Sequence, residues 1–185
     1  MHRRNVILLI VIAIAALTAI SYHVFRAKVV PRSSLGPGGV GKQIFLALDD
    51  RVHHKEWVYP QPRQYRSSTE YLNTAIQKGW ITGVSPSFFS ARSLTVSEDH
   101  ITPQGNIWCI TVGLTPASPP NTPCIFTRNI RFAGQSIRNP TAIDHHDLPF
   151  DRAVVVFLNG KVMVLDDGNL ENFNPSGVDR PFLEP

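Results

Sequence analysis

The sequence predicts an α+β domain, two short helices on an antiparallel β-sheet, placed behind one N-terminal transmembrane helix. Three observations lead there. Val6 to Phe25 carries no charge over twenty residues. Two segments between Lys42 and Trp80 have helical periodicity, the second with a capping signal. From Asn106 to Leu165 the chain alternates in the manner of strands separated by turns. The expected organisation is residues 1–30 as cytoplasmic stub and membrane anchor, 31–41 as a Pro/Gly hinge, and 42–185 as one extracytoplasmic domain.

Twenty apolar residues in a helix match the ~30 Å hydrocarbon core of a bilayer. Arg3 and Arg4 precede the span, so the positive-inside rule places the N-terminus in the cytoplasm and sends the domain across the inner membrane as a single-pass protein. Small residues at Ala19 and Ser21 leave a second reading, a signal peptide cleaved before Tyr22. Either way the domain is exported. The formal charge of +4 comes from Arg3, Arg4, Arg26 and Lys28, and from residue 31 onward fourteen basic side chains face fourteen acidic ones. No net field remains to draw the domain to nucleic acid.

Pro31 to Gly41 combines two prolines with four glycines and reads as irregular chain. Lys42 to His53 then sets Ile44, Phe45, Leu48 and Val52 on one side of a short helix. Ser67 stands three residues before Glu70, a capping box opening a second helix whose apolar face is Tyr71, Leu72, Ala75 and Ile76, and whose stop is Gly79 before Trp80. Asn106 to Leu114 alternates as a strand, with Trp108, Ile110, Val112 and Leu114 on one face. Cys124 to Ile130 is a second strand, beyond the exposed loop TPASPPNTP. If these two pair about that loop, Cys109 and Cys124 fall opposite one another. Export then favours a structural disulfide, the alternative being two separate buried thiols. Ala153 to Leu165 contains Asn159-Gly160, the preferred pair for a two-residue type I′ turn, which sets Val156 against Met163 and Val154 against Leu165. Asp166 to Pro185 is polar and reads as a loop wrapped on the domain.

Two clusters hold metal-capable side chains: His53-His54 with Glu56, and Asp144-His145-His146-Asp147. Adjacent histidines diverge on helices and strands alike, so a solvated polar loop competes with a metal-binding or metal-dependent enzymatic role at Asp144 to Asp147. Asp167, Asn169 and Glu171 alternate as oxygen ligands do at the start of a calcium loop. Asn172 nevertheless replaces the expected glycine, and Val178 the bidentate glutamate. Calcium is the one cofactor the pattern leaves open. No nucleophile elbow, HExxH pair, P-loop or dinucleotide-binding glycine motif occurs, and the chain reads as non-enzymatic. Trp57, Tyr59, Tyr65, Phe88 and Phe89 read as core, with a partner groove as the alternative.

Several of these stretches together resemble type II secretion pseudopilin-like proteins of the kind found in Verrucomicrobia. Lys42-Gln43-Ile44, Leu46-Ala47-Leu48, Asp50 and Tyr59-Pro60 are similar to the family's helix-to-loop passage. Ser67 to Tyr71 resembles its next helix start, Asn106 to Gly113 and Pro123 to Asn129 its central strands, and Phe157 to Val162 its hairpin. The resemblance implies a pseudopilin-like fold, a single membrane span, and partnership with other pseudopilins or secretion-system proteins. The sequence departs from the family's processing signature, with Arg4 before Asn5-Val6 and Ile10 where that signature has glutamate. Pro31 and the following glycines also interrupt a helix that pilins continue.

Overall fold

A computed structural model describes residues 36–53, 58–91, 99–134, 136–137, 140–173, 175 and 180–185. The apolar stretch from Val6 to Phe25, the candidate cleavage site, and the His54-Glu56 part of the first histidine cluster lie outside the described residues, as does Trp57. Among the described residues, no helix is long and apolar enough to cross a membrane.

The described part is α+β. Helix α1 (Pro37–His53) and helix α2 (Ser68–Gln77) precede seven strands: β1 (Trp108–Thr111), β2 (Pro123–Thr127), β3 (Ile130–Phe132), β4 (Pro140–Ile143), β5 (Ala153–Phe157), β6 (Val162–Leu165) and β7 (Phe182–Leu183). Five of these form one sheet in the order β6-β5-β2-β1-β7, and β3 pairs with β4 as a separate ribbon. The described pairings are antiparallel.

Alternation divides the buried side chains between the two faces of the sheet. Trp108, Ile110, Ile125, Val154 and Val156 share a core with Val40, Ile44, Phe45 and Leu48 of α1 and Tyr71, Leu72 and Ala75 of α2. Cys109, Phe126, Val155 and Phe157 belong to the opposite core, closed by Ile130 and Ile143 of the ribbon together with Ile137 and Phe173. Strands β1, β2 and β5 are buried along their whole lengths because both faces are covered.

Helix α1 begins within the expected hinge, which corrects its boundary. Pro37 opens the helix, where its missing N–H is no loss. The glycines that weaken the helix locally are what let it approach the sheet. A Cβ on Gly41 would lie 2.9 Å from Cη2 of Trp108 and 3.0 Å from Cγ2 of Val156. Gly41→Leu is therefore expected to destabilise the domain by about 2 kcal/mol, the overpacking cost exceeding the gain in helix propensity. A urea midpoint at or above that of the parent would refute the close-packing argument.

The capping box at α2 forms as expected on one side: Glu70 N–H donates to Ser67 Oγ at 3.2 Å, while the Glu70 carboxylate accepts from Arg66 N–H at 2.8 Å. Gly79 ends the helix with φ +68°. The Asn159-Gly160 hairpin exists, but its register is Val156 with Val162 and Val154 with Val164, one residue away from the two-residue expectation. Gly160 has φ +73°, whereas Asn159 does not enter the positive-φ region that a type I′ turn requires of both. Phe157 N–H donates to Lys161 C=O across a three-residue loop instead. Asn159 Oδ1 accepts Lys161 N–H at 2.9 Å and holds the tip.

The tail is not purely loop, for β7 completes the edge beside β1 with Ile110 opposite Leu183. The hairpin staple between Cys109 and Cys124 is not formed, and both thiols are free and buried. The β1–β2 register pairs Cys109 with Phe126, and a register shift between Pro123 and Ile125 marks a bulge at Cys124. Cys124 consequently joins the helix-side core and Cys109 the opposite one.

Candidate functional site

The turn after β4 carries Asp144 to Asp147, and each of its acids is engaged by an arginine from the turn between β2 and β3 or from β3. Asp144 pairs with Arg131 and also accepts His146 N–H at 2.9 Å. Asp147 pairs with Arg128 at 3.2 Å. The Arg131 guanidinium and the His146 amide hold the Asp144 carboxyl below the usual carboxylate range. These are organising contacts around a turn.

The second set of oxygen donors meets the first: His145 Nε2 lies 2.7 Å from Asp167 Oδ2. Asn169 is occupied differently. Its Oδ1 accepts Asp166 N–H at 2.9 Å and its Nδ2 donates to Val164 C=O at 3.3 Å. Strand β6 is an edge of the sheet, so this side chain caps backbone groups that a further strand would otherwise take. Glu171 is exposed on the 3₁₀ turn Leu170–Asn172. The alternation Asp167, Asn169, Glu171 thus distributes to a contact with His145, an edge cap and solvent. Among the described residues, no three His, Cys, Asp or Glu side chains are grouped as a metal site. Asn169→Ala is expected to cost about 1 kcal/mol, and, by uncapping β6, to increase self-association at high protein concentration. Light scattering and urea unfolding of the variant check both parts.

Among the expected core aromatics, Tyr59 and Phe89 are buried and Tyr65 and Phe88 half-buried, all packed in or against the helix-side core. Tyr59 lies against the Cys124 thiol. Burial pushes that thiol up to about 12, with the Tyr59 hydroxyl pulling the other way. Cys109 is pushed up further, first by burial and then by the Glu184 carboxylate. Neither thiol is a nucleophile near neutral pH.

A cleft of about 670 Å³ opens on the face of the sheet away from the helices. Its walls include Cys109 of β1, Phe132 of β3 and Phe182 of β7, with Arg128, Asp147 and Glu184 contributing charge. The ring of Phe126 stands edge-on to both Phe132 and Phe182, at 5.4 and 5.2 Å between centroids, and fixes their positions. Arg128 is held by Asp147 and by the carbonyls of Pro103, Gln104 and Asn106. Sequence reasoning missed this site because its members come from four separated segments. The one local signal was the strand spacing of Phe182 and Glu184, which puts both on one side.

The chain matches no protein-family model, no curated protein and no solved structure.

Proposed function

We propose that this chain is a membrane-anchored, non-enzymatic pseudopilin-like protein, an accessory component of a type II secretion or type IV pilus-like apparatus. The observation that carries the reading is a contact between two stretches on which the resemblance rests. Lys42, in the Lys42-Gln43-Ile44 passage of α1, donates its amine to the carbonyl of Gly160 at the tip of the Phe157 to Val162 hairpin. Gly160 also sits so close to Phe45 that a Cβ there would approach Cε1 to 2.9 Å. The helix passage and the hairpin passage thus form one packed unit. The third stretch joins them, since Ser68 Oγ donates to Trp108 C=O at 2.6 Å and ties the start of α2 to β1. An apolar segment, a helix laid on an antiparallel sheet and an acidic–basic balance without a net field together favour an anchored assembly part over a nucleic-acid binder.

Fractionation of the native host, with intact mass and N-terminal sequencing, tests the anchor. The expected species stays in the membrane after alkaline carbonate washing and retains Val6 to Phe25. A soluble form beginning near Tyr22 would replace the anchor with a signal peptide. Deletion of the gene tests the assembly role separately: reduced protein secretion or piliation is expected, and unchanged levels of both would overturn it.

A further inference from the structure

We propose that the cleft between β7 and the β3–β4 ribbon receives a lysine or arginine side chain presented by a partner protein. This inference does not depend on the anchored, pseudopilin-like reading.

Arg128 has Asp147 and three backbone carbonyls, and Arg131 has Asp144. Glu184 is exposed at the cleft and makes no side-chain ion pair or hydrogen bond among the described residues. Its charge acts on the floor, where it raises the Cys109 thiol more than Arg128 lowers it. Glu184 also acts through space on Arg131, and among the described residues it is the one acidic side chain lining the cleft without a direct ion pair or hydrogen bond. An anionic ligand would compete with Asp144 or Asp147 for an arginine, whereas a cation adds to Glu184 without competing with an existing pair.

Shape and polarity agree with that sign. Phe132 and Phe182 line the same cleft as Glu184, with ring centroids 5.5 Å apart and planes tilted by 53°. A guanidinium or ammonium group within about 6 Å of such a ring is attracted by its quadrupole, and the aliphatic stem of the same side chain is accommodated by apolar walls. A volume of about 670 Å³ exceeds one side chain and leaves room for its flanking backbone, which favours a residue carried on a protein segment over a small free cation.

The test uses the full-length chain in mild detergent and capped pentapeptides with alanine and glycine around a central arginine, lysine, norleucine or glutamate. Binding is followed through backbone amide shifts. The arginine and lysine peptides are expected to saturate shifts at Cys109, Phe132, Phe182 and Glu184, with the norleucine peptide about tenfold weaker. Glu184→Gln is expected to weaken the arginine peptide about fivefold while the spectrum elsewhere stays unchanged, because Glu184 is exposed and its side chain supports no described contact. Raised salt lowers the affinity of the parent for the arginine peptide but not for the norleucine peptide. Equal binding of the norleucine peptide, tighter binding of the glutamate peptide, an unchanged affinity in Glu184→Gln, or no saturable shift up to about 10 mM would each overturn the proposal. Methylguanidinium binding as tightly as the arginine peptide would also overturn it, by making the partner segment unnecessary.

Discussion

Replacing Asn106 by leucine is expected to destabilise the domain by about 4 kcal/mol, enough to remove a large share of the stability of a domain this size. Asn106 is fully buried beneath the start of α2. Its Nδ2 donates to Ser68 Oγ at 3.0 Å and to Thr69 Oγ1 at 3.1 Å, and its Oδ1 accepts Trp108 N–H at 3.0 Å. Leucine has a similar volume, so the cost is not a cavity. It arises because Trp108 N–H loses its acceptor in a dry core and two buried hydroxyls lose their donor, each such loss costing about 1–3 kcal/mol. Ser68 Oγ keeps its own bond to Trp108 C=O, which limits the damage on that side. The denaturant midpoint should fall with an unchanged slope. A change below about 1 kcal/mol would mean that water or a local shift replaces the amide.

The second large effect is alkaline. Cys109, Cys124, Tyr59 and Tyr71 are buried acids whose folded pKa values lie above their ordinary ones, first of all because burial disfavours the charged form. Raised values mean that the folded state keeps protons that the unfolded chain releases. The associated stability is thus complete below the unfolded thiol pKa of 9.0 and is lost as pH rises toward the folded values. Each thiol costs about 1.4 kcal/mol per pH unit beyond that point, so the pair removes about 5 kcal/mol by pH 11, and the tyrosines add to the loss above pH ~10. Urea unfolding at several pH values measures the slope. A thiol-specific reagent supplies the companion observation: no reaction in the folded protein, and two thiols per chain after denaturation without reductant. Stability that stays flat to pH 11, or no titratable thiol in denaturant, would contradict the separate burial of these side chains.

Both expectations concern places where local pattern and tertiary arrangement part company. Cys109 and Cys124 looked like a cross-strand pair because a regular hairpin about the proline-rich loop sets them opposite each other. The β1–β2 register sets Cys109 against Phe126 instead, and a bulge at Cys124 in the pairing of β2 with β5 puts the two thiols on different faces; a bulge leaves almost no local trace. The Asn159-Gly160 turn was legible, but its register depends on whether Asn159 adopts positive φ, which the contacts of the tip decide. Asn159 there bonds Asn121 at 2.9 Å as well as Lys161, and Gly160 is pressed against Lys42 and Phe45 of α1.

By itself the sequence determined what depends on neighbours along the chain. The alternation that separates Trp108 and Ile110 from Cys109, the cap of α2 at Ser67, the glycine stop at Gly79 and the apolar stripe Ile44, Phe45 and Leu48 all follow from periodicity and backbone preference within a few residues. Tertiary structure decided what depends on distant surfaces. It extended α1 back to Pro37, because Gly41 gains a close seat on Trp108 and Val156 that outweighs its poor helix propensity. It turned Asn169 from an apparent ligand into the cap of β6, and drew Phe132, Phe182 and Glu184 to one cleft from segments about fifty residues apart. The physical reason is common to these cases: a side chain's role is set by the desolvation and contacts of its final surroundings, and those are written across the chain rather than beside the residue.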